Sequence, residues 1–175
     1  YKCKTVIEPM LMEQWFVNMK PLAKKAIEAI EADRVKFRPA NRKEIGLDYL
    51  RNIRDWNISR QCPWGIRIPA FYNEESDEWI YSESDDDEIV EDGKTYVRDR
   101  DTFDTWMSSS QFPYLALGYD AGDPEQSSQE FKDFFPTAWL HLGREIFNQW
   151  GLRMIMMALY NADDIPFKTL YVNGN

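Results

Sequence analysis

Leu22, Ala26, Ile27 and Ile30 recur at intervals of three and four residues, which puts them on one face of a helix. Pro21 suits the first turn of that helix, where its missing N–H has no intrahelical partner and its φ is already helical, and the pattern runs to Ala32. Ahead of it, residues 1–19 read as an extended segment with Ile7, Trp15, Phe16 and Val17 turned inward. Asn41, which can cap, and Glu44 three residues on predict a second helix, with Ile45, Tyr49, Leu50 and Ile53 as its buried stripe.

Between residues 55 and 69 this periodicity stops. The stretch DWNISRQCPWGIRIP is a poor helix and a poor strand: Pro63 removes a backbone donor and Gly65 tolerates angles other residues avoid, so Trp64 falls on a bend. Two readings of the indoles stay open, either Trp56 and Trp64 as large core side chains or Trp64 held out as a pocket wall. Beyond the bend RIPAFY alternates as a strand, and EWIYS at 78–82 can pair with it as a hairpin through the NEES turn. The following DDDEIVEDGK reads as a solvent-exposed loop, and Asp104 or Thr105 starts a short helix that buries Trp106 and Met107.

The last third predicts the architecture. FFPTAWLHLG at 134–143 has strand length, REIFNQWGLRMIMMALY at 144–160 is apolar on nearly every face, and FKTLYVNG at 167–174 is a second strand. Strand, helix and strand with tight connections make a βαβ crossover, the unit of parallel sheets. A helix this apolar needs cover on both flanks, so the expected class is α/β, part of a larger Rossmann-like sheet. Ligands of such sheets bind beyond the carboxyl ends of the strands, where Gly143, Arg144, Glu145 and Ile146 fall. An acidic side chain there can pair with the ammonium of an amino acid; equally, Glu145 can act as a first-turn acid that stabilises its own helix.

Composition narrows the class. The length of 175 residues suits one domain, and an aromatic share of 15% with seven Trp argues for a globular chain. With no run of eighteen apolar residues and no signal-peptide pattern, a soluble cytoplasmic protein without membrane contact is expected. Cys3 and Cys62 form no C-x-x-C pair, which argues against zinc and against a disulfide framework. The chain begins with Tyr and stops after a strand-like run, so it reads as a piece of something longer. Of the net charge of −9, residues 74–92 contribute eleven Asp and Glu and no cation, which leaves +2 on the remainder and +6 on the first seventy residues. A basic front half permits contact with RNA and equally fits a solvated face. The acidic run lacks calcium-loop spacing and reads as solvated. Ser108 to Ser110 lack a G-x-S-x-G turn and a histidine partner, which excludes a serine nucleophile, and His141 reads as a core residue.

The order W-x-I-S-R-Q-x-x-W-G-x-x-I-P at 56–69 resembles the class I aminoacyl-tRNA synthetases for valine, isoleucine and leucine. IEPMLMEQWFVNMKPLA at 7–23, DTFDTWMSSSQFPYLALGY at 101–119 and PFKTLYVNGN at 166–175 follow the same family, and Asp104-Thr105-Trp106 with Phe112-Pro113 resembles its valine branch. The resemblance implies a partial class I catalytic domain over residues 1–175, with an acidic insert at 73–94 where relatives often carry zinc-binding Cys pairs. It implies that the editing and anticodon-binding domains lie outside these residues. It implies ATP, with Mg2+, and valine and tRNA(Val) as substrates, with no zinc in this chain. Valine would meet Trp64, Gly143, Glu145 in the role of the family's Asp, and Ile146; the nucleotide would meet Gly174 and Asn173, which stands where the family usually has His. The HIGH and KMSKS motifs that hold ATP are not in the sequence, so the chain alone is expected to have little activity. A pocket of this kind cannot reject threonine cleanly, because one methylene changes binding by only about 1–3 kcal/mol. A non-catalytic RNA-binding module on the same scaffold and an isoleucine-specific relative are the alternatives.

Overall fold

Asn18 accepts a hydrogen bond from the backbone N–H of Lys20 at 3.3 Å and so starts the first helix two residues earlier than Pro21 suggests. The computed structural model describes residue 6 and residues 8–174. Strand β1 (Phe16–Val17) leads into α1 (Met19–Glu31), whose Leu22, Ala26 and Ile30 are buried as the spacing predicts. Phe16 is exposed rather than core, because β1 is a two-residue strand paired only along one edge. Ile7 lies outside the described residues. Next come β2 (Lys36–Arg38) and α2 (Arg42–Arg51). The predicted face of α2 is turned: Gly46, Leu47 and Leu50 are buried and Ile45 is exposed. The cause is Gly46, where a Cβ would come within 3.2 Å of Phe147 and 3.3 Å of Leu152, so that this flank of α2 packs closest to the core. Asn41 precedes α2 without a side-chain capping bond.

The central stretch forms two short strands, β3 (Trp56–Asn57), antiparallel to β1, and β4 (Ser59–Arg60). The expected hairpin follows as β5 (Ala70–Asn73) and β6 (Glu78–Tyr81), antiparallel with Tyr72 opposite Trp79. The expected acidic loop is instead a second hairpin, β7 (Glu88–Glu91) and β8 (Lys94–Arg98), and the four strands form one antiparallel sheet in the order β6-β5-β8-β7. Its turn is Asp92-Gly93, with φ of 49° and 77°, the left-handed pair that a tight two-residue hairpin requires. Phe71 is buried beneath the Arg98 guanidinium, 4.5 Å from the ring centre, and closes one face of this sheet. Strand β9 (Thr102–Phe103) then returns to pair with β4.

Three short helices follow, α3 (Thr105–Ser109), α4 (Phe112–Leu115) and α5 (Gln129–Phe134). Trp106 and Met107 are half-buried on α3. The chain ends in the predicted crossover of β10 (Leu140–Gly143), α6 (Leu152–Asn161) and β11 (Thr169–Asn173). Strand β11 lies parallel between β10 and β2, which makes a three-stranded parallel sheet in a mixed α/β fold. The crossover helix is entered through a 3-10 turn, Arg144–Ile146, and a π turn, Phe147–Gly151. At Gly151 a Cβ would stand 2.9 Å from Leu142 and 3.2 Å from Leu170, so the wide turn rests directly on the sheet. Nearly every residue of α6 is buried, and Lys25 of α1 reaches across to donate to the carbonyl of Leu159. His141 is exposed, not core: it lies on β10, the outer strand of this sheet among the described residues, edge-on to the ring of Tyr171 at 5.2 Å. Among the described residues no helix is long and apolar enough to cross a membrane.

Candidate active site

The parallel pairing of β10 and β11 ends with Gly143 opposite Asn173. Adjacent strands lie about 4.8 Å apart, so the two groups of residues that the sequence assigns to amino acid and nucleotide begin side by side at the carboxyl edge of one sheet. Gly143 leaves room there for a close approach. The carboxylate of Glu145 folds back over it, and a Cβ at 143 would lie 2.7 Å from Oε2 and 2.8 Å from Cδ. Glu145 is otherwise exposed and Ile146 is half-buried against the core. On the neighbouring strand the Asn173 side chain donates to the carbonyl of Gly174 at 3.0 Å, and a Cβ at Gly174 would meet open space. The edge therefore offers an acidic acceptor and an uncrowded backbone on adjacent strand ends, with the half-buried Ile146 in the turn that follows Gly143.

Trp64 stands on its bend with 88% of its surface exposed. It walls a hollow of about 370 Å³ with Pro63, Ile66, Phe103, Asp104, Thr105 and Ser108. The bend is held close to β9, since a Cβ at Gly65 would stand 3.0 Å from the Thr102 side chain, while the Thr102 hydroxyl donates to the Cys62 carbonyl at 3.1 Å. Neither Glu145 nor Ile146 lines this hollow. The two regions meet through α3: Thr105 and Ser108 face Trp64, and the Ser109 carbonyl accepts the indole N–H of Trp150, in the turn that follows Ile146, at 3.3 Å.

The two indoles of the central stretch have separate fates. Trp56 is buried, and its N–H donates to Asp104 Oδ2 at 2.9 Å. The same oxygen accepts from Arg60 at 2.7 Å, while Oδ1 accepts from the backbone N–H of Trp106 at 3.2 Å and caps α3. The cap could be read from the sequence, but the second role of Asp104, tying the two motifs together, carries no local signal. On the other side of Trp56, the Arg153 guanidinium of α6 lies over the indole at 3.7 Å.

Residues 1–175 match the family described as tRNA synthetases class I (I, L, M and V). The chain is 44% identical over 175 residues to the valine–tRNA ligase of Carboxydothermus hydrogenoformans, a match covering 99% of this chain and 19% of that protein. It is 41% identical over 174 residues to those of Pseudothermotoga lettingae and Thermotoga maritima, covering 99% of this chain and 20% of each. It thus spans about one fifth of the length of these curated relatives. Among solved structures, Mycobacterium tuberculosis methionyl-tRNA synthetase bound by methionyl-adenylate has a similar fold, with a TM-score of 0.61 at 16% identity over 93% of this chain and 26% of that one. The LeuRS–tRNA–LeuAMS ternary complex of Agrobacterium radiobacter K84 gives 0.52 at 21% identity over 70% of this chain and 19% of that one. With the family match running the full length and the parallel crossover sharing the fold of such enzymes, the chain belongs to the class I tRNA synthetases of the isoleucine, leucine, methionine and valine group.

Proposed function

We propose that these residues form part of the catalytic domain of a valine–tRNA ligase and supply its amino-acid pocket, with residues 73–94 as an insert outside the site. The observation that carries the reading is the in-register placement of Gly143 beside Asn173, which lets one ligand span both strand ends. The name of the relatives supplies the amino acid.

In this reading the Glu145 carboxylate accepts the ammonium of valine and Ile146 touches the isopropyl group, while Trp64, across α3 from both, walls the adjoining hollow and acts on the pocket through that helix. The valine carboxylate then points toward Asn173 and Gly174, where the nucleotide lies. One carboxylate oxygen attacks the α-phosphorus of ATP, the bond to the bridging oxygen breaks, and pyrophosphate leaves with its electron pair. The product is valyl-adenylate. The terminal ribose hydroxyl of tRNA(Val) attacks the valyl carbonyl, gives up its proton to solvent, and AMP departs. This chain's share is positioning: it holds the nucleophile in line and leaves phosphate neutralisation to groups elsewhere in the protein. Mg2+ would accompany the nucleotide, bound through its phosphates. A role in charging tRNA(Val) fits a cytoplasmic protein.

The test is amino-acid-dependent exchange of pyrophosphate into ATP by the full-length protein that contains this chain. Valine supports exchange in this reading; preference for isoleucine or leucine overturns the choice of amino acid, and no exchange with any of the three overturns the ligase. The RNA-binding module is not favoured, since the named relatives are ligases.

A further inference from the structure

A second hollow, of about 670 Å³, lies between α2, the central stretch and α6; it shares Asp104 with the Trp64 hollow and none of the residues proposed to touch valine or nucleotide. Arg54, Arg60 and Arg153 line it over Trp56 and Trp106, with Gln149 on its rim. Its two carboxylates are engaged: Asp104 holds Arg60, Trp56 and the α3 cap, and Asp55 accepts the backbone N–H of Met19 at 3.1 Å. Arg153 is left short of an anion. Its guanidinium lies flat on the Trp56 indole, and its Nε is buried with no hydrogen-bond acceptor among the described residues. Burial draws its pKa below the ordinary guanidinium value; Tyr49 and Asp104 oppose the shift and Arg60 adds to it. A half-buried charge of this kind is stabilised by a counter-charge. Arg54, exposed at the mouth, presents a second fork toward the same space.

We propose that this hollow seats a phosphate of the tRNA backbone between Arg54 and Arg153, above the Trp56 indole. The proposal rests on the ligase reading. Guanidinium forks match the oxygens of a phosphate bidentately, and a stacked guanidinium is already oriented for the contact. The phosphates of ATP are the other source on hand. Arg153 lies ten residues along the chain from Gly143, past the 3-10 and π turns that follow the strand end, and none of Gly143, Glu145, Asn173 and Gly174 lines the hollow. An open, arginine-lined hollow apart from the strand ends suits a polyanion crossing the surface, and the KM that moves in the test below separates the two sources.

The test uses the full-length protein with Arg54→Gln, a surface change that spares the core, and Arg153→Gln beside it. KM for tRNA in aminoacylation is expected to rise about tenfold in Arg54→Gln, and the salt dependence of tRNA binding to fall by about one phosphate's worth of counterion release. KM for valine and for ATP in tRNA-free pyrophosphate exchange is expected to stay at the wild-type value. An unchanged tRNA KM and salt slope in Arg54→Gln overturns the site, and a change that falls on the ATP KM overturns the assignment to RNA. If Arg153→Gln fails to fold, Arg54→Gln decides alone. Absence of valine-dependent exchange in the unmodified protein is a different failure, that of the ligase reading.

Discussion

Asp104 and Trp56, forty-eight residues apart, are joined inside the protein by a 2.9 Å hydrogen bond from the indole N–H to the carboxylate. The same side chain holds Arg60 and caps α3, whose residues wall the Trp64 hollow. One buried carboxylate thus fastens the central stretch to the helix that separates Trp64 from Glu145. Asp104→Ala removes a helix cap, worth about 1 kcal/mol, and strands a buried indole N–H at a further 1–3 kcal/mol. Denaturant unfolding followed by circular dichroism should show a loss of about 2–4 kcal/mol in the transition of this domain. Asp104→Asn, which keeps one acceptor, should lose clearly less.

The crossover helix sits as close to the sheet as a glycine allows. Gly151→Ala places a methyl against Leu142 and Leu170, both within the packed core, and overpacking of this kind costs about 1–3 kcal/mol. A fall of several degrees in the melting temperature is the expected readout. Because the turn that carries Glu145 and Ile146 is displaced with it, KM for valine should rise in the same variant.

Tyr114 gives the fold a pH dependence in the alkaline range. Its phenol is buried beneath α6 and accepts the Asn161 amide at 2.6 Å; burial, with Tyr119 adding, pushes its pKa up to about 12 against the partial opposition of Asn161. Between pH 10 and pH 12 the unfolded chain loses this proton while the folded one keeps it, so stability present below pH 10 declines through that window by about 2–3 kcal/mol. Comparing the stability of wild type and Tyr114→Phe across this range isolates the effect. The variant should show a shallower decline, and phenolate absorbance of the folded wild type should include one tyrosine that titrates late.

The Asp92-Gly93 hairpin is independent of the site. Gly93 has φ of 77° and open space around its Cα, so Gly93→Ala costs backbone strain alone, about 1 kcal/mol. Hydrogen exchange in β7 and β8 should quicken while the kinetics of pyrophosphate exchange stay unchanged.

Local signals carried much of this fold. The apolar spacing of α1, the NEES hairpin and the βαβ unit all follow from short-range periodicity; α1 and the hairpin lie where the sequence places them, while in the crossover the first strand shortens from 134–143 to Leu140–Gly143 and the helix becomes α-helical only from Leu152. The misreadings have physical causes. Acidic side chains on the surface strand β7 hide an alternation in which Ile89 faces Tyr96 across the ladder, although Asp-Gly is itself a strong turn signal. The face of α2 depends on Gly46 meeting Phe147 a hundred residues later, and the exposure of His141 follows from β10 being the outer strand of its sheet among the described residues. Of the candidate site, the place of Gly143 and Glu145 at a strand end was legible because strand ends mark ligand positions in parallel sheets, while Asn173 opposite Gly143 came through the family resemblance. Which of Trp56 and Trp64 turns inward was not, because Asp104, on a distant motif, decides it.

The most direct measurement is valine-dependent ATP–pyrophosphate exchange by the full-length protein carrying Trp64→Ala or Glu145→Ala. Both changes are at exposed side chains, so folding should survive them. The account predicts a rise in KM for valine of about tenfold or more in each, with the larger loss at Glu145, where a charge-assisted bond to the ammonium is removed. Wild-type kinetics in both variants would contradict it.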